Sequence, residues 1–283
     1  MRSMKWTGVL LIAKWEKNNY NNLDKQCIGR NIMRKTLLFL CFTILIGMSA
    51  CQEPGQGNQT GNPTPTNTST PKPTAIPAVW VPQEAPAIRN SISEEEKIAR
   101  QQAILDGMDR AVPYLQQLED AGVPVLWRPF HELDGGWFWW SKGGAENFAK
   151  LWQLMYSRYT DYWGLDNLIW VFGYSGNGGD MAAWYPGDSY VDLVGADSYT
   201  PGANDNLFEE CEKLAPAGMP LVFHECGTIP TEKQLKAGDT DWLFFMVWHT
   251  DYITKESNNT IASLKDIYNS EYFITLDELP AFH

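Results

Sequence analysis

Beyond Ala78 the chain alternates short apolar runs with segments whose apolar residues recur at helical spacing. Ser91 to Glu94 and Ser93 to Glu96 offer two registers of a capping box. Behind them Ile98, Ile104, Met108, Ala111, Leu115 and Leu118 sit near one helical face. Pro113 divides that stretch or starts a second helix, and Gly122 is placed to cap its end. Residues 123–128 then read as a strand. Phe148, Leu151, Trp152, Leu154, Met155 and Tyr159 mark a helix over 145–159. Strand patterns follow at 168–172, 191–196, 221–223 and 242–248, with a helix over 207–214. A short apolar run at 77–82 is a further candidate strand. Strands alternating with helices predict parallel βαβ units, hence a (β/α) barrel or a doubly wound open sheet. No GxGxxG follows the first strand, which weakens the dinucleotide-binding version.

The stretch before Ala78 has a different pattern. Met33-Arg34-Lys35 precedes an uncharged run, TLLFLCFTILIGM, over 36–48. A basic start and an apolar run of this length read as a secretory signal, too short to span a membrane comfortably. The run ends Met48-Ser49-Ala50-Cys51, which resembles a bacterial lipobox with Cys51 as the lipid-modified residue. The alternative is an ordinary signal peptide with an incidental cysteine. Residues 1–32 fit neither scheme, so Met33 is the expected start. Residues 52–77 are mostly Pro, Thr, Asn and Gly, a solvated linker with almost nothing to bury. The expected organisation is an extension and signal over 1–51, the linker over 52–77 and one compact domain over 78–283. The expected location is the cell envelope or surface, with the domain held off a membrane by a lipid anchor at Cys51.

Charge sharpens this division. The 283 residues carry a net charge of −12. Residues 1–51 hold eight Lys/Arg against two Asp/Glu, whereas residues 78–283 hold 13 against 31. So acidic a domain is a poor partner for nucleic acid or anionic lipid. Of the cysteines after Cys51 only Cys211 and Cys226 remain, and they either pair in an oxidising compartment or stay as buried thiols. No CxxC, HExxH or His/Cys cluster suggests a metal site, so no metal or cofactor is expected.

Candidate chemistry gathers at the strand ends. Arg128, His131 and Glu132 follow the strand at 123–128, Asp197 and Tyr199 follow 191–196, Glu225 ends the run begun at 221, and Trp248 ends the last strand. In a (β/α) barrel catalytic groups sit at these C-terminal ends. Two glutamates facing across a cleft suit glycosidic cleavage, which needs one protonated carboxyl and one ionised. Two unrelated rim glutamates in ion pairs would give the same spacing. Gly135-Gly136-Trp137-Phe138-Trp139-Trp140 adds a tight loop and indoles with flat faces for sugar C–H surfaces. Consecutive side chains cannot all point one way, so part of this cluster belongs to the core.

The run Arg128-Pro-Phe-His131-Glu132-Leu-Asp-Gly-Gly-Trp137-Phe-Trp-Trp140 resembles the acid/base motif of glycoside hydrolase family 26, chiefly β-mannanases. The landmarks Trp184 to Asp192, Gly195 to Tyr199, Phe223 to Glu225 and Trp248 follow in the family's order. The resemblance runs from about Ile104 to Pro280. It implies a (β/α)8 TIM barrel with catalytic glutamates on strands four and seven, and a retaining double displacement without cofactor. It implies Glu132 as acid/base, Glu225 as nucleophile and His131 as a support beside Glu132. Tyr199 would hydrogen-bond the nucleophile and hold it ionised, with Asp197 behind that network. Trp137 and Trp248 would form sugar platforms, and Arg128 would pair with carboxylates. The implied activity is endo-β-1,4-mannanase on mannan, glucomannan or galactomannan, with xylan or mixed-linkage glucan as alternatives.

The chain departs from that pattern in one respect. If 123–132 carries strand four, three βα units should precede it, yet 78–122 reads mostly as helix. A barrel of this kind takes about 250 residues, and residues 78–283 number 206. The expectation is a barrel truncated at its N-terminal βα units. Residues 78–122 forming an unusual minimal closure is one alternative. A non-catalytic, carbohydrate-binding surface lipoprotein is another.

Overall fold

The computed structural model of the protein describes residues 10–13, 93–176, 179–248, 251–275 and 278. The signal-like run over 36–48, Cys51, the linker over 52–77 and the candidate strand at 77–82 lie outside the described residues. No helix among the described residues is long and apolar enough to cross a membrane.

After strand β1 (Leu10–Ala13) come helices α1 (Glu94–Asp109) and α2 (Val112–Asp120). Of the two cap registers, Ser93 is the one used, its hydroxyl accepting the Glu96 amide at 3.2 Å. Pro113 stands at the start of α2, where a missing amide hydrogen costs nothing. Gly122 takes φ +69° beyond its end, a conformation that favours glycine.

Five parallel strands then lie side by side in chain order: β2 (Val125–Trp127), β3 (Leu168–Tyr174), β4 (Leu193–Ser198), β5 (Leu221–Cys226) and β6 (Phe244–Val247). The helices between them include α3 (Ala145–Tyr156), which runs on into a wider turn over Ser157–Tyr162. A single turn, α4 (Met181–Trp184), precedes β4; α5 (Asp205–Leu214) joins β4 to β5, and α6 (Glu232–Gly238) joins β5 to β6. The turn α7 (Asp251–Thr254), helix α8 (Ile261–Tyr268) and strand β7 (Phe273–Ile274) close the described part.

Alternation along the strands sorts their side chains into two cores. Leu126, Val171, Leu193, Val222 and Phe244, one from each parallel strand, form a small inner cluster. Their neighbours in sequence, among them Trp127, Trp170, Phe172, Val194, Phe223 and Phe245, pack against the helices. Trp152 and Trp242 are wholly buried there, and each donates its indole N–H at 2.9 Å, to Tyr190 O and Ala203 O. Burying an indole of this size contributes about 4–6 kcal/mol of transfer free energy.

The arc does not close among the described residues. The outer edge of β2 has no strand beside it there, and 94–120 is helical, so this part makes no minimal closure. At the far edge β1 pairs antiparallel with β6 (Leu10↔Met246, Ile12↔Phe244) and β7 pairs with β1. Barrel closure would require a parallel strand in that place. Among the described residues the fold is therefore a curled half-barrel of consecutive parallel strands, the form expected of a truncated (β/α) barrel. β1 was not foreseen, because four apolar residues in a basic extension carry no strand-specific pattern.

One irregularity aims the site. Gly195 pairs with Val222 and Asp197 with Glu225, so β5 spends three residues where β4 spends two. The same extra residue appears against β6, between Phe223 and Cys226. This β-bulge lets the adjacent His224 and Glu225 both turn to the inner face, which strict alternation forbids. Gly173 and Gly195 make room for the imidazole: a Cβ on Gly195 would stand 2.3 Å from Val222 O and 2.7 Å from His224 Cδ2.

Candidate active site

The residues singled out at the strand ends converge. Carboxylate oxygens of Glu132, Asp197 and Glu225 all lie within 4.8 Å of one another. Arg128, just past β2, donates to Glu225 Oε2 and to His224 Nδ1, both at 2.9 Å. The ion pair is buried, with side chains only 5% and 4% exposed. Tyr199 donates its hydroxyl to Glu225 Oε1. Glu225 is thus gripped on both oxygens, one by a cation and one by a hydroxyl. Glu132 is more open, and its Oε2 accepts the Trp137 indole N–H at 2.7 Å. Glu225 is ion-paired, as the rim-glutamate alternative has it, but the two glutamates also face one another within 4.8 Å.

The surroundings set the protonation states. Asp197 is 2% exposed and no donor reaches its carboxyl oxygens, so its hydrogen-bond partner is the Glu132 carboxylate, to which a protonated Asp197 donates. Burial, then the neighbouring Glu132 and Glu225, push its pKa up to about 10, against a smaller opposing pull from Arg128. It therefore carries a proton at neutral pH. Burial and the Arg128 charge hold His131 down at about 3, and the same two causes hold His224 well below its usual value. Both imidazoles are neutral, so His224 Nδ1 accepts from the guanidinium. Burial and the Glu225 charge push the Tyr199 hydroxyl up, keeping it a donor.

The Trp/Phe cluster divides as its spacing required. Trp140 is buried, stacks on Phe138 (4.3 Å, 17°) and donates its N–H to His131 O at 2.9 Å. Trp137 and Trp139 are half exposed. The Trp137 ring folds over Gly135, where a Cβ would lie 2.2 Å from the indole. Trp248 is half-buried beyond β6, its amide bonded to Cys226 O at 2.8 Å. Cys211 and Cys226 are both free and buried, which settles the pairing left open by the sequence.

A groove of about 980 Å³ leads away from Glu132 and Asp197 along Ser175, the loop from Ser198 to Leu207, Glu210 and Gln234. Three carboxylates this close have the donor chemistry of a divalent-cation site. Arg128, bonded to Glu225, places a positive charge beside them.

Two kinds of contributor were not legible in the sequence. His224 adjoins Glu225, and adjacent strand residues are expected on opposite faces. Tyr252 backs the Tyr199 ring at 5.0 Å, and the buried Asn259 holds it by donating to Tyr252 O (2.6 Å) and Gly227 O (2.9 Å). Nothing in a lone Asn or Tyr marks such a role.

A curled parallel sheet with a carboxylate pair at the C-terminal ends of its first and fourth parallel strands defines a (β/α)-barrel protein of glycosidase type. The family pattern for glycosyl hydrolase family 26 matches residues 71–278. The chain belongs to glycosyl hydrolase family 26. A mannan endo-1,4-beta-mannosidase of Thermothelomyces thermophilus is 37% identical over 179 residues, which cover 62% of this chain and 36% of that protein. The Podospora anserina GH26-CBM35 β-(1,4)-mannanase structure superposes with a TM-score of 0.58 at 40% identity, covering 68% of this chain and 41% of that one. A β-mannanase from a symbiotic protist of the termite Reticulitermes speratus, complexed with gluco-manno-oligosaccharide, gives 0.59 at 34% identity, covering 69% and 58%. The chain spans about a third of the length of the curated relatives it matches.

Proposed function

We propose that the protein is a retaining endo-β-1,4-mannanase cutting internal bonds of mannan, glucomannan or galactomannan. The observation that carries this is the Glu132–Glu225 pair, with carboxylate oxygens within 4.8 Å. Retaining glycosidases hold their two carboxyls about 5–5.5 Å apart, whereas inverting ones leave room for a water between them. Glu225, held by Arg128 and Tyr199, attacks the anomeric carbon and forms a covalent glycosyl-enzyme. Glu132, beside the open groove, gives its proton to the departing glycosidic oxygen. It then takes a proton from the water that releases the sugar. Trp137, half exposed and anchored to Glu132, offers a sugar platform next to the cleavage point, and Trp248 is assigned the same part across the site. The choice of mannan rests on the relatives named mannan endo-1,4-beta-mannosidases.

The uncharged run over 36–48 and the motif ending at Cys51 support an exported protein, lipid-anchored at Cys51, with 52–77 as its tether; processing there would remove β1 and leave the five parallel strands that carry the site.

The test is hydrolysis of galactomannan, glucomannan, xylan and mixed-linkage glucan by the purified chain, beside Glu132→Ala and Glu225→Ala. Mannan cleavage lost in both variants is the expected result. Cleavage surviving Glu225→Ala removes the nucleophile assignment. Preference for xylan or glucan moves the substrate within the family. No cleavage by protein that circular dichroism shows to be folded favours the non-catalytic carbohydrate-binding reading.

A further inference from the structure

We infer that Asp134, clamped on Ser175, is a positioning residue that holds Glu132 in place for general-acid chemistry; the inference rests on the two-glutamate reading of the site. The β2–β3 ladder stops at Trp127↔Trp170, five residues before Glu132. The segment that carries Glu132 is therefore outside the sheet. It is also in an unfavourable backbone state: Phe130 and Glu132 have φ of 51° and 49°, a left-handed conformation that β-carbon-bearing residues rarely adopt. Such conformations persist only where surrounding contacts over-determine them.

Asp134 supplies that constraint. Its Oδ1 accepts the Ser175 amide at 2.7 Å and its Oδ2 accepts the Ser175 hydroxyl at 2.8 Å. Both residues are buried, at 9% and 8% exposure. Ser175 directly follows β3, so the bond rejoins the turn to the next strand beyond the end of the ladder. The turn is closed locally by Gly135 N donating to Glu132 O at 3.1 Å. Glu132 thus sits between one anchor on β2 and another on the tip of β3. Charge-assisted bonds to a buried carboxylate are short and directional, which suits a clamp better than apolar packing would. Ser175 and Glu132 also line the same groove, so the clamp fixes the carboxyl relative to the bound sugar.

The experiment compares the wild-type chain with Asp134→Ala, Ser175→Ala and Asp134→Asn on two substrates. One is a β-1,4-manno-oligosaccharide, whose leaving oxygen needs a proton. The other is a dinitrophenyl β-manno-oligoside, whose leaving group departs without one. Asp134→Ala should lower kcat/KM on the oligosaccharide by about 10²-fold, the scale of a misplaced general acid, and change the aryl substrate little. Asp134→Asn keeps an oxygen for the Ser175 amide and should restore most of the loss. Hydrogen exchange over residues 130–136, which needs no turnover, should quicken in Asp134→Ala and not in Asp134→Asn. Equal losses on both substrates, or unchanged exchange in Asp134→Ala, overturn the clamp. Wild-type protein that cleaves neither substrate defeats the two-glutamate reading instead, and the exchange measurement then decides the clamp alone.

Discussion

Replacing Asp197 by Asn should flatten the fall in stability expected as pH rises. The native carboxyl keeps its proton up to about pH 10, because it is buried beside Glu132 and Glu225. In the unfolded chain an aspartate releases that proton near pH 3.9. Between these values the folded state holds one proton more than the unfolded state. Its stabilising effect is full below about pH 4 and is lost as pH rises through about 10. The slope is 2.303RT per proton, about 1.36 kcal/mol for each pH unit. From pH 6.5 to 8.5 the wild type should lose about 2.7 kcal/mol relative to Asp197→Asn, which has the same shape and no proton to release. That difference corresponds to about 5–11 °C in Tm for a domain of this size. Taking the difference between the two proteins cancels the other groups that titrate there, including the buried thiols of Cys211 and Cys226, whose pKa values burial also raises. Starting at pH 6.5 keeps the histidines out, since His131 and His224 are held low and act on stability only below that pH. Urea unfolding at pH 6.5, 7.5 and 8.5 provides the measurement. Parallel stability curves for the two proteins would refute the argument.

Tyr199→Phe removes the hydroxyl from Glu225 and should lower kcat/KM by about 10–150-fold, the value of a hydrogen bond to a charged group of about 1.5–3 kcal/mol, read by steady-state kinetics. Gly195→Ala should destabilise by about 1–3 kcal/mol in urea unfolding, because its Cβ would meet the Val222 carbonyl at 2.3 Å and backbone cannot yield as a side chain can. Trp242→Ala should cost about 3–5 kcal/mol, measured in the same way, since its ring is wholly buried between Phe208 and Phe223.

The five parallel strands were legible as apolar runs, two pairs of them separated by a helical period over 145–159 and 207–214, whereas the short helices Met181–Trp184 and Glu232–Gly238 were not read, being too brief to show a period. Glu132 and Glu225 were legible as a pair from their places at strand ends and from the family motif around Glu132. The aim of Glu225 was not, since it depends on an extra residue in β5 that no local pattern announces. Asp134 hid inside a motif whose neighbours drew the chemical attention, and its partner Ser175 lies 41 positions away. The capping register went to Ser93 over Ser91, a choice between two equal patterns that the sequence leaves open. Trp139 and Trp140 could be sorted into rim and core only by the turn at Phe138, where the backbone is extended before a short 3-10 segment.

The site is set by neighbours rather than by closure of a ring. Glu132 follows β2 and Glu225 is the last residue but one of β5, and β3 and β4 link those two strands by parallel pairing that passes through the bulge between β4 and β5. The separation of the two carboxyls therefore depends on the curvature across four consecutive strands. Gly173 and Gly195 leave His224 their side-chain space on the inner face, and His224 in turn receives the Arg128 guanidinium. Arg128 then ties β2 to β5 directly across the arc, as a chord with a bond of 2.9 Å at each acceptor. A chord of this kind fixes the distance between two points of an arc whether or not the rest of the circle is present. It follows that the geometry of the carboxylate cluster does not depend on a strand beside the outer edge of β2: the carboxylate spacing answers to Arg128, His224 and the bulge in β5.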